Sequence, residues 1–155
     1  MKELPDKPSE LIRLALEDLR KAEADPRYTV NMNVWHEEQL DGEARRTCSV
    51  CLAGAVMAGT LEKSPFDVLE PENCGRHQSK LKALNQFRMG ELHAGLSLIP
   101  IVWEREGIPK RVKITGYHPL FKAFDNVTEE EGLHYREKFH EEMGKLADRF
   151  EEAGL

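Results

Sequence analysis

From Val50 to Leu61 the chain carries no charged side chain and is crowded with small ones: Ala53, Gly54, Ala55, Ala58 and Gly59 sit among the bulkier Leu52, Val56 and Met57. Helices that are apolar all round are buried ones. Glycine inside a helix lowers stability by about 1 kcal/mol relative to alanine, so close approach of a neighbouring backbone is the reason to keep Gly54. The stretch therefore reads as a helix from about Cys51 to Leu61 at the centre of the fold, and other elements must be available to enclose it.

The rest of the chain supplies them. Leu11, Ile12, Ala15, Leu16, Leu19 and Ala22 recur at spacings of three and four, the stripe of an amphipathic helix. Asp6 and Pro8 suit its first turn, and Asp25-Pro26 stops it. Tyr28, Val30, Met32 and Val34 alternate with Thr29, Asn31, Asn33 and Trp35 at the period of a half-buried strand. A polar loop is expected from His36 to Arg45, with Arg46–Val50 returning as the hairpin partner of that strand. Ser64-Pro65-Phe66-Asp67 opens a short helix that Pro71 ends. Leu81, Leu84, Phe87, Met89, Leu92 and Leu96 mark helical structure interrupted near Gly90, and Pro100 closes that stretch. Val112–Ile114 fits a short strand. Thr128 and Glu131 form a capping box for a long last helix, with Leu133, Phe139, Met143, Leu146, Ala147 and Phe150 on its buried stripe. The expected fold class is α+β: one compact domain over residues 1–155, mostly helical, with a small antiparallel sheet.

A chain of 155 residues buries about two thirds of the surface of its unfolded form, enough for a core without staples. No run approaches the roughly 20 apolar residues of a membrane span, and the first residues have no apolar signal-peptide segment. A cytoplasmic protein is expected. The net charge of −6 is concentrated at the end of the sequence: from Thr128 onward nine acidic residues face four basic ones, a local balance of −5. Such a surface repels phosphate backbones, and the basic groupings Arg76/Lys80/Lys82 and Lys110/Arg111/Lys113 are small, so nucleic acid is not an expected partner.

The residues with most chemistry in them are Cys48, Cys51, Cys74 and His77, arranged as Cys48-Ser49-Val50-Cys51 and Cys74-Gly75-Arg76-His77. Two short pairs of thiol and imidazole donors are the usual way a zinc site is assembled. The same cysteines run into the apolar helix, and free cysteine is among the most buried of residue types. A third reading treats a thiol near a helix N-terminus as a nucleophile, favoured as thiolate by the helix dipole, with His36, His77, His93 or His118 as its base in a cysteine-dependent hydrolase. All three stay open at the level of sequence. His134 and His140, among charged residues of the last helix, read as solvated.

Asn31-Met32-Asn33-Val34-Trp35-His36 followed by Cys48-Ser49-Val50-Cys51-Leu52-Ala53-Gly54-Ala55-Val56-Met57-Ala58 resembles small proteins of unknown function encoded by phages and prophages. The resemblance spans the first third of the chain and is structural in character. It implies a bacterial or phage setting and an accessory or host-interacting role, and it brings no catalytic residues and no cofactor. The expected function is that of a non-enzymatic binding or regulatory protein, contacting another protein or a second copy of itself, with a homodimer as one form of that contact. Zinc binding and cysteine-dependent hydrolysis are the alternatives. Leu96, Ile99, Ile101, Val102 and Trp103, clustered around Pro100, are the expected anchors of an interface if they are not core.

Overall fold

The computed structural model of the protein describes residues 2–30, 36–40, 43–63, 66, 71–90, 99–105, 108–114 and 129–155. Helix α1, Pro8–Ala24, begins with proline in its first turn, where the missing N–H would have had no helical partner. Glu10 lies in its first turn and Lys21 in its last, each suited to the local sign of the helix dipole. Asp6 stays outside the helix and bonds Lys80 instead. Leu11, Ile12, Ala15, Leu19 and Ala22 are buried as the stripe required, and Asp18 is buried with them.

Past α1, the Asp25 carboxylate accepts the Arg27 backbone N–H at 2.9 Å, and the Asp25 carbonyl accepts the Tyr28 N–H at 3.0 Å. This turn feeds strand β1, Tyr28–Val30. The remainder of the strand expected there, residues 31–35, lies outside the described residues. Strand β2 covers His36–Leu40 and strand β3 Arg46–Val50. The sheet order is β1-β3-β2. β1 runs parallel to β3, pairing Tyr28 with Cys48 and Val30 with Val50, while β2 runs antiparallel to β3, pairing His36 with Val50 and Leu40 with Arg46.

Two expectations are corrected here. The segment from His36 is a strand and not a loop, and β3 forms its hairpin with β2 rather than with β1. The sheet is accordingly mixed, not purely antiparallel. The physical reason is composition: His36-Glu37-Glu38-Gln39-Leu40 has no apolar alternation because β2 is an edge, with Leu40 69% exposed. Its stability comes from across the ladder, where the Arg46 guanidinium donates to both oxygens of Glu38 and lies 4.3 Å from the Phe66 ring centroid.

Helix α2, Leu52–Ala58, begins one residue after β3, with Cys51 at its N-cap. Leu52, Ala53, Ala55, Val56 and Met57 are fully buried, and the helix is flanked by α1, α3, β2 and β3. It is the central element that its small side chains implied. A 3-10 segment, Pro71–His77, follows the expected helix start at residues 64–67, of which only Phe66 is described; Gly75 kinks this segment at φ 54° and ψ −129°, a backbone region that glycine alone adopts readily. Helix α3, Gln78–Gly90, carries buried Leu81 and Leu84 toward the same core.

Strands β4, Ile99–Arg105, and β5, Ile108–Ile114, make a separate antiparallel ladder. Pro100 therefore does not close a segment: it lies inside β4, opposite Lys113. Helix α4, Glu129–Glu152, packs on α1. Phe139, Met143, Leu146, Ala147 and Phe150 are buried, each large side chain contributing about 1.5–3 kcal/mol by leaving water. Arg13 donates to Asp148 at 2.9 Å and to Glu151 at 2.7 Å, and Arg20 reaches Glu137 at 2.7 Å, so the acidic last helix meets the cations of the first. The architecture is α+β. No helix among the described residues is long and apolar enough to cross a membrane.

Candidate functional site

Of the four residues with the strongest chemical signal, Cys48 and Cys51 belong to the hydrophobic core and Cys74 packs against it. Cys48 is in the middle strand of the three-stranded sheet, in register with Tyr28 on one side and Glu38 on the other. Cys51 terminates the turn from that strand into α2. Both are fully buried. Cys74 is half-buried and His77 is 2% exposed, at opposite sides of the kink at Gly75. That kink breaks the turn which the three-residue spacing would otherwise have made. Among the described residues, no three His, Cys, Asp or Glu side chains are gathered as a metal-binding group.

Burial also changes the chemistry of each group. The Cys48 thiol is pushed up to about 11, chiefly by desolvation, which outweighs the opposing Glu37 backbone N–H, with the Glu38 carboxylate adding a smaller push upward. At neutral pH the thiol is protonated, so it is not a ready nucleophile without a base beside it. His77 is held below the ordinary imidazole value, chiefly by burial and then by Arg76, and its Nε2 has no hydrogen-bond partner. His36, opposite Val50 in β2, is buried as well. His93, His118 and Leu96 lie outside the described residues. Ile99 and Trp103 fall in β4, where register partners Ile114 and Lys110 stand across from them.

His140 corrects the expectation of a solvated side chain. It is 9% exposed, and its Nε2 lies 2.8 Å from Oε1 of Glu23, which is itself 8% exposed. Arg20 at 3.1 Å and Arg136 at 3.8 Å flank the same carboxylate. A helix-helix contact has thus closed over a polar cluster that looked peripheral along the helix.

Sequence reasoning also passed over Asp18. Its carboxylate, fully enclosed, accepts the Thr60 backbone N–H at 3.0 Å and the Thr60 hydroxyl, and it accepts from Lys21 Nζ at 3.0 Å. A Cβ on Gly59 would stand 2.4 Å from Asp18 Oδ1. The available signal was positional: Asp18 lies three residues after Ala15 and four before Ala22, inside an otherwise apolar stripe. Beside this clamp is a cleft of about 120 Å³ lined in part by Lys21, Asp25, Arg27 and Tyr28. Arg27 is paired with Asp25 at 2.7 Å and Lys21 with Glu17 at 3.0 Å. Burial raises the Tyr28 phenol, so it remains protonated at neutral pH. With its carboxylates engaged by neighbouring cations, the cleft is built as a polar joint between α1, β1 and the end of α2, not as an acid-base centre.

Compared with family models, with curated proteins and with solved structures, the chain matches none of them.

Proposed function

We propose that the protein is a non-enzymatic binding or regulatory protein of the phage and prophage accessory type, acting in the cytoplasm through surface contact. The observation that carries this reading is the enclosure of Cys48 and Cys51, together with a Cys48 thiol raised to about 11. Of the residues that would have signalled nucleophilic or thiolate chemistry, Cys48 and Cys51 are enclosed in the core. What remains for function is surface.

The surface favoured for contact is the β4–β5 ladder. Its register sets Ile99 against Ile114, Ile101 against Val112 and Trp103 against Lys110. Directly paired residues of a ladder share a face, and alternate residues along one strand do so too. With the Arg105–Ile108 pair at the end of the ladder, six apolar register positions, one lysine and one arginine therefore fall on one face of the ribbon. A two-stranded ribbon alone is marginally stable, which favours a second layer over it, and a second copy of the chain is the partner we favour. Trp103→Ala tests this: sedimentation across micromolar concentrations should show wild-type dimer, with dissociation at least about tenfold easier in the variant, the scale of a central aromatic anchor, and an unchanged thermal transition. A wild-type protein that stays monomeric over that range contradicts the reading.

A further inference from the structure

The segment before α1 is fastened across the 3-10 segment and α3 at three points. Lys80 Nζ donates to the Leu4 carbonyl at 2.6 Å and to Asp6 at 2.8 Å, Arg76 pairs with Glu3 at 2.6 Å, and the Leu4 side chain is buried. His77 lies between the two fastening cations in sequence, almost fully buried, with Nε2 lacking any hydrogen-bond partner. Buried polar atoms are nearly always satisfied, and each exception calls for a reason. An apolar ring would pack here without that cost. Histidine differs from such a ring in one respect, which is that it takes up a proton in mildly acidic solution.

We infer that His77 is a proton-operated release for the strap Lys2–Asp6, which is docked while the ring is neutral and freed when the ring is charged. The charged groups acting on the ring are Arg76 and Lys80 from its own side of the contact, with Glu3 opposite. Two of these three are cations, so an imidazolium would be buried in a positive surrounding with a single carboxylate to offset it. Desolvation acts in the same direction, and before them in size. The ring can gain a proton most easily by leaving its pocket, and leaving disturbs the helical turn from which Arg76 and Lys80 hold the strap.

The sign follows from the lowered value of the docked ring. Above about pH 6.5, the ordinary imidazole value, the ring is neutral whether docked or freed, and the docked state has its full stability. As pH falls below that, the freed ring binds the proton first and docking weakens, until the docked ring is protonated too. Between those limits the freed-to-docked ratio grows by up to about tenfold per pH unit.

The test follows the Leu4 methyl and His77 ring NMR signals of the same protein from pH 8 to pH 4.5. The Leu4 signals should move from buried toward solvent-exposed positions with the midpoint at which the His77 ring titrates, below the ordinary imidazole value. In His77→Phe, or in His77→Leu should the larger ring disturb folding, Leu4 should remain docked throughout that range. Leu4 signals that do not change while His77 titrates in the wild-type protein would overturn the inference, with or without a folded variant. So would a Leu4 transition of the same midpoint in either variant.

Discussion

At the scale of single residues, the clamp between Asp18, Gly59 and Thr60 shows how one carboxylate sets the identity of its neighbours. Asp18 receives two hydrogen bonds from Thr60 and one from Lys21, and it is short and enclosed, so it has no rotamer through which to retreat. Gly59 is required by space alone, since its φ of −83° is open to any residue. Gly59→Ala is therefore expected to destabilise the protein by about 1–3 kcal/mol, the usual scale of overpacking. Urea denaturation of the variant checks it, and an unchanged midpoint would mean that α1 and α2 can separate at this joint without loss. Residue-scale features of this type were the least legible in sequence. Asp18 occupies a core position that hydrophobic patterning counts only as a gap, and His140 looked solvated because its carboxylate partner, Glu23, is on a different helix.

At the scale of elements, legibility tracked how much of a segment's stability is local. Helix α1 announces itself because its stripe repeats within one helix, and the buried stripe of α4 from Phe139 to Phe150 does the same. The small-residue helix α2 was legible from composition, since a charge-free run of that density has few places to go other than the centre. Strand β2 was not: its support comes from the ladder with β3 and from Glu38 reaching Arg46, contacts invisible to any window along His36–Leu40. The parallel pairing of β1 with β3 was missed for the same reason, because pairing order depends on partners and not on period. Ala55 is the residue that tests the element-scale account most sharply. It is fully buried in α2, between helices that enclose it, and Ala55→Leu should cost about 1–3 kcal/mol or more. A neutral outcome by thermal denaturation would place α2 nearer the surface than its burial indicates.

At the scale of the whole molecule, α1 links the two ends of the described chain: its apolar stripe packs on α2 and α4, and its Arg13 and Arg20 pair with carboxylates of α4. Cys48, Cys51, His36 and His77 are buried within this fold. The spacing of the cysteines and His77 left metal, nucleophile and core readings open because spacing records only distance along the chain; the burial of Cys48 and Cys51 and the kink at Gly75 were not readable from it. The central claim is that these thiols belong to packing, leaving function to contact surfaces. Residue-resolved thiol labelling of the native protein at pH 7.5, read by mass spectrometry, tests it most directly. The account predicts that half-buried Cys74 reacts first, while Cys48 and Cys51 react only as fast as the protein unfolds and become fully reactive in denaturant. Rapid, selective modification of Cys48 or Cys51 in the folded protein would contradict it.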